Sequence, residues 1–135
     1  MTVPTNKSRW IGREQQVAEF IPPNSNVLDL GGWRAYLKET HGKLNKYICV
    51  DRHPEAKADI VADFNKNEFP EIELEDCVIV CVGLLEYLKD VPSFLRNIRK
   101  YGNKLIVTYL QRIDFAKPMG DLWLNNYSYV ELLDV

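Results

Sequence analysis

Five short apolar runs punctuate this chain, at residues 26–30, 46–50, 59–62, 76–82 and 104–110. Helix-patterned or polar stretches separate them. Runs with almost no polar alternation predict strands covered on both faces, as in a parallel sheet. The strongest is residues 76–82, Asp-Cys-Val-Ile-Val-Cys-Val, which is mostly β-branched. Residues 9–21 predict an amphipathic helix with a stripe of Trp10, Val17, Phe20 and Ile21, stopped by Pro22-Pro23. Residues 34–41 predict a second helix, with Gly42 just past its end. Residues 91–101 predict a third, with Pro92 in its first turn, where a missing N–H costs nothing. Val91, Phe94, Leu95 and Ile98 form its inner face, and Arg96, Arg99 and Lys100 face water.

Residues 1–8 read as a loose arm, and residues 65–75 as a polar linker containing Pro70. Residues 111–126 are irregular, and Ser128 with Glu131 has capping-box spacing for a helix that begins near the end. Strands alternating with helices imply right-handed crossovers. The expectation is therefore a single α/β domain over 1–135: a three-layer α/β/α, Rossmann-like, mainly parallel sheet.

Composition narrows the function classes. The chain has 135 residues, 27% of them charged, a net charge of −2 and no block of like charge, which gives no reason to expect nucleic acid. No apolar run approaches the roughly 20 residues of a membrane span, and no signal peptide precedes the first helix, so a cytoplasmic, membrane-free protein is expected. Cys49, Cys77 and Cys81 each lie inside an apolar run, as small buried hydrophobes in a reducing compartment do. Cys77 and Cys81 fall on one face of their strand. His41 and His53 do not complete metal-ligand spacing, so no metal is expected.

The candidate chemistry collects at the strand ends, where ligands bind in open α/β sheets. Strand 1 ends in Asp29-Leu30-Gly31-Gly32, which allows a tight turn and a close approach of backbone to ligand. Strand 2 ends in Asp51, about 20 residues beyond the turn, where a carboxylate can accept from both hydroxyls of a ribose. Strand 3 leads to Asp63-Phe64: Asp63 suits an adenine amino group, and Phe64 with Leu84 suits a flat ring. Strand 4 leads to Gly83-Leu84-Leu85-Glu86. Each acid alone reads as a solvated loop carboxylate; three at successive strand ends read as a site.

Val27-Leu28-Asp29-Leu30-Gly31, Val50-Asp51, Ala62-Asp63-Phe64 and the run from Val80 to Leu88, in this order, resemble the class I S-adenosylmethionine-dependent methyltransferase family. The resemblance covers roughly residues 10–134 and implies strand order 3-2-1-4-5 with S-adenosylmethionine as cofactor. It implies that Gly31 and Gly32 pass the methionine part, Asp29 anchors the turn, Asp51 holds the ribose, Asp63 and Phe64 meet the adenine, and Gly83 and Leu84 floor the site. Trp10 and Arg13 are candidates to cover it. A small molecule or sugar is the implied methyl acceptor, because no Asn-Pro-Pro-Tyr-like block follows strand 4.

Two departures stand out. Trp33 and Ala35 occupy the second and third glycine positions of the family's Asp-x-Gly-x-Gly-x-Gly pattern. The family's final strand pair has no counterpart, which leaves strand 5 as an apolar edge to be covered by residues 111–135 or by a second copy in a homodimer. These departures keep a rival reading in play, a catalytically silent methyltransferase-like binding or assembly domain. A nicotinamide-dependent oxidoreductase is weaker, since the Gly-x-Gly-x-x-Gly arrangement is missing. Glu86, Tyr87, His53 and Tyr109 are the polar candidates for acceptor chemistry; no single one is singled out as catalytic.

Overall fold

A computed structural model describes residues 6–109 of the chain, with side chains from residue 12 onward. The elements are α1 (Asn6–Ala18), β1 (Val27–Leu30), α2 (Tyr36–His41), β2 (Tyr47–Asp51), β3 (Ile60–Val61), β4 (Val78–Cys81), α3 (Val91–Ile98) and β5 (Lys104–Val107). The five strands form one sheet in the order β3-β2-β1-β4-β5, parallel at every pairing. This is the expected α/β Rossmann-like architecture. The direction of the strand order reverses between β1 and β4, and that crevice is where such sheets take ligands.

Side-chain alternation along each strand splits the core into two layers. Leu28, Leu30, Val50, Ile79 and Cys81 point to one face and pack with Val91, Phe94 and Ile98 of α3. Val27, Val78, Val80 and Val82 point to the other, against Val17 of α1, Ile21 in the turn after it and Leu37 of α2. Each fully buried Val, Leu or Ile contributes about 1.5–3 kcal/mol of burial, so both faces must be covered for the sheet to persist. The three cysteines are free and buried, and Cys77 and Cys81 share the α3 face. Cys77 Sγ donates to the Tyr101 carbonyl at 2.9 Å.

Several boundaries differ from expectation. Helix α1 starts at Asn6, inside the expected loose arm, and ends at Ala18. A turn follows, with Phe20 and Ile21 N–H groups bonded to the Val17 and Ala18 carbonyls. That turn sends Ile21 into the core and leaves Phe20 70% exposed, so Phe20 does not belong to the apolar stripe. Helix α2 begins two residues late, at Tyr36, because Ala35 is left-handed. Gly42 closes it as expected, with φ of 72° and its N–H on the Lys38 carbonyl. Helix α3 is capped by Asp90, whose side chain accepts from the Ser93 N–H at 3.0 Å. It ends at Ile98 and tightens into a single 3₁₀ turn, Arg99–Tyr101.

Strand β5 is an edge among the described residues, with Leu105 43% and Val107 39% exposed. The expected cover from residues 111–135, the helix start near Ser128, the missing final strand pair and the placement of Trp10 lie outside the described side chains. No helix among the described residues is long and apolar enough to cross a membrane.

Candidate functional site

A cleft of about 350 Å³ opens at the carboxyl ends of β1 to β4. Gly31, Asp51, Asp63, Phe64, Gly83 and Leu84, all expected at the site, line it together. Two other expected residues, Asp29 and Gly32, lie behind it. His53 and Tyr87 also face the cleft, whereas Glu86 is buried and Tyr109 packs against the α3-side core.

The loop after β1 builds the floor. Gly31 has φ of 75°, and its N–H continues the sheet by donating to the Val50 carbonyl at 2.7 Å. A Cβ on Gly31 would come within 2.9 Å of Leu84 Cδ1, so the β1 and β4 loops touch at this glycine. Trp33 and Ala35 have φ of 51° and 58°. The backbone is therefore left-handed at positions 31, 33 and 35, the alternation that glycines would supply at no steric cost, although two of the three carry a Cβ. A left-handed non-glycine residue costs about 1–2 kcal/mol, offset in part by the chain entropy that glycine would add. Ala35→Gly is therefore expected to stabilise the domain by about 0.5–1 kcal/mol, read as a higher urea midpoint at unchanged slope; a lower midpoint would refute the strain.

Hydrogen bonds hold this strained loop in place. The Trp33 N–H donates to Asp51 Oδ2 at 3.0 Å, and the Lys57 N–H donates to the Trp33 carbonyl at 3.0 Å. Asp51 Oδ1 accepts the His53 N–H at 3.0 Å and meets His53 Nδ1 at 3.0 Å. The His53 ring stands edge-on to Trp33, with centroids 5.0 Å apart. Arg34 lies 5.6 Å from the centre of the same indole. Trp33 and the end of β2 thus form one wall.

The opposite wall comes from the β3 and β4 loops. Asp63 Oδ1 caps a short 3₁₀ turn by accepting the Asn65 N–H at 2.9 Å. The Asn65 amide then donates to the Tyr87 carbonyl, and its oxygen accepts the Lys89 N–H, both at 2.9 Å. This bracket fixes the two loops relative to each other, and sequence reading missed it. Phe64 packs its ring against Phe94 and Phe69, with centroids 5.2 and 5.5 Å away, so much of it serves the core. Gly83 is held by its N–H to Thr108 Oγ1 at 2.8 Å.

Behind the floor lies a group of polar side chains in the α1–α2 layer. Asp29 is 1% exposed and Glu14, on α1, is 3% exposed. The Tyr47 hydroxyl donates to Asp29 Oδ2. Burial pushes the Asp29 carboxyl up to about 7, against the Tyr47 hydrogen bond and with a smaller push from Asp51. Burial pushes Glu14 up to about 8, helped by Asp29 and opposed by Arg13. Burial also raises the Cys49 thiol, with Asp29 adding to it. A Cβ on Gly32 would meet Asp29 Oδ2 at 2.6 Å and Cys49 Sγ at 2.7 Å, so Gly32 seats the loop on this cluster. Glu14 was not a sequence candidate, yet it shares the Val17 and Ile21 stripe at spacings of three and four residues, and an acid on an apolar stripe is a readable signal.

No protein-family model matches this chain, and no curated protein is a significant match to it.

Proposed function

We propose that the cleft binds S-adenosylmethionine and that the chain transfers its methyl group to a small molecule or a sugar hydroxyl. The observation that carries this reading is the convergence of Gly31, Asp51, Asp63, Phe64, Gly83 and Leu84 on one cleft at the β1/β4 switch point. The residues fit a nucleoside with a charged tail. The cleft is of the size that small ligands occupy and has apolar walls from Ala62, Leu84 and Leu88 between two acids. Asp51 would accept from the sugar, and Asp63 would lie at the base end.

When bound, the cofactor would supply an electrophilic sulfonium methyl, open to in-line attack by the acceptor with the thioether leaving. The protein's part is then positioning and exclusion of water. Gly83 and Leu84 would shape the side facing the acceptor, and Tyr87 would offer a hydroxyl there. A second reading, a binding domain that does not transfer the methyl, is favoured by Trp33, whose indole stands in the cleft wall where the family pattern has glycine.

Titration calorimetry with S-adenosylmethionine and S-adenosylhomocysteine tests the proposal. Micromolar binding that weakens by about 10- to 100-fold in Asp51→Asn supports it, the loss expected for a charge-assisted hydrogen bond. Absence of heat at millimolar ligand, with the wild-type melt unshifted, sinks it. Binding of both ligands with no methylated product across a panel of hydroxyl and amine acceptors would select the second reading.

A further inference from the structure

We infer that Asp51 and His53 together read a vicinal diol, each accepting one hydroxyl. The inference rests on the reading of the cleft as a nucleoside site. A carboxylate offers about four acceptor positions. Among the described residues, three N–H groups already use Asp51: Trp33 on Oδ2, and the His53 main chain and ring on Oδ1. One position remains, on Oδ2. A ribose diol carries two hydroxyl donors, so Asp51 alone receives only one of them unless a protein contact breaks.

His53 supplies the second acceptor. A carboxylate can only accept, so the ring nitrogen facing Asp51 must carry its proton on Nδ1. In the neutral imidazole the lone pair then lies on Nε2. The ring is held at two places, by Asp51 Oδ1 at 3.0 Å and by the edge-on Trp33 indole at 5.0 Å. Its side chain is 39% exposed, and it lines the same cleft as Asp51. A fixed ring with a defined tautomer presents a directed acceptor without rearrangement. This also gives Trp33 a purpose that a glycine cannot serve: a main-chain N–H at this position could fix Asp51 from any residue but proline, but only the indole fixes His53.

The test pairs a side-chain deletion with a ligand deletion. Calorimetry uses S-adenosylhomocysteine and its 2′-deoxy and 3′-deoxy forms against wild type, His53→Asn and His53→Gln. Asparagine keeps a short amide donor toward Asp51 but has nothing at the Nε2 position; glutamine reaches further and restores an acceptor. His53→Asn is expected to weaken the parent ligand about tenfold, the scale of one hydrogen bond. One of the two deoxy ligands should be weak against wild type and lose nothing more in His53→Asn, while the other loses a further tenfold. His53→Gln should recover part of the loss. Equal weakening of all three ligands by His53→Asn, or no weakening, overturns the inference while leaving the nucleoside reading intact. A wild-type chain that ignores the parent ligand at millimolar concentration overturns both.

Discussion

Glu14→Gln raises the stability of this domain by about 2 kcal/mol at pH 8.5 and leaves it nearly unchanged at pH 4. The cause is the pair of carboxyls sealed beneath the loop after β1. Glu14 on α1 and Asp29 on β1 are both buried, and neither Glu14 Oε2 nor Asp29 Oδ1 has a hydrogen-bond partner among the described residues. Burial first, then the neighbouring Asp29 charge, pushes Glu14 up to about 8, and burial pushes Asp29 up to about 7. In the unfolded chain the same groups lose their protons near pH 4. Between those limits the folded state binds more protons than the unfolded one, so unfolding releases protons and stability falls as pH rises. The contribution is fully present below about pH 4 and is lost through pH 7–8, on the order of several kcal/mol for the pair. Glutamine carries no charge at any of these pH values, so it escapes both the burial penalty and the push from the Asp29 charge. Urea denaturation at half-unit steps from pH 4 to 9 should show the wild-type midpoint falling and the variant's falling less. Parallel pH curves for the two proteins would mean that Glu14 is not a buried acid. The effect bears on the cleft, because Asp29 lies directly beneath Gly32 in the loop after β1.

The strands were legible because a parallel strand buried on both faces has to be an unbroken apolar run, and residues 76–82 and 26–30 are such runs. Their exact ends were not, because a strand stops where its partner stops. Strand β3 is two residues long and pairs only with Val50 and Asp51; where the ladder would extend, the Asp59 side chain takes the Cys49 N–H at 2.8 Å. The acids at the ends of β2 and β3 were legible from topology alone, since a parallel sheet brings its carboxyl ends to one edge. The left-handed backbone at Trp33 and Ala35 was not. Neither residue favours φ above zero; ties from Asp51 and Lys57 to the Trp33 backbone, and the Ala35 N–H on the Gly32 carbonyl, hold that geometry. Glu14 escaped for a related reason. Helix periodicity marks which side of α1 faces inward, but it does not say that this side meets Asp29 and Tyr47 rather than another hydrophobic face. Tyr47, Cys49 and Asp51 alternate onto the side of β2 that Asp29 occupies on β1, so the polar cluster is a product of register.

Gly32→Ala should cost about 3 kcal/mol, more than any other single methyl added to the loop. At Gly31 the added Cβ meets Leu84 Cδ1 at 2.9 Å, which can turn aside, and Leu84 Cβ at 3.2 Å, which must give by a few tenths of an ångström, so the φ of 75° adds the larger part of the cost there. At Gly32 the φ is unremarkable and the obstacle is steric. The Cβ would lie 2.6 Å from Asp29 Oδ2, 2.7 Å from its Cγ and 2.7 Å from Cys49 Sγ. None of these can yield cheaply: Asp29 is tied by the Tyr47 hydroxyl, and Cys49 sits in the middle of β2. Overpacking a rigid site costs about 1–3 kcal/mol, and here it also displaces a carboxyl that has nowhere else to go. Chemical denaturation measures the loss, and a second substitution identifies its source. Asp29→Ala removes the two contacts to its carboxyl and leaves the one to Cys49 Sγ, so Gly32→Ala should cost clearly less, though not nothing, when added to it, giving a coupling of about 2 kcal/mol between two neighbouring sites. Additive losses would place the strain elsewhere. The two glycines then divide the work of the turn. Gly31 faces the cleft and admits Leu84. Gly32 faces inward and lets the loop close over Asp29, which holds the left-handed path through Trp33 close enough for its N–H to reach Asp51.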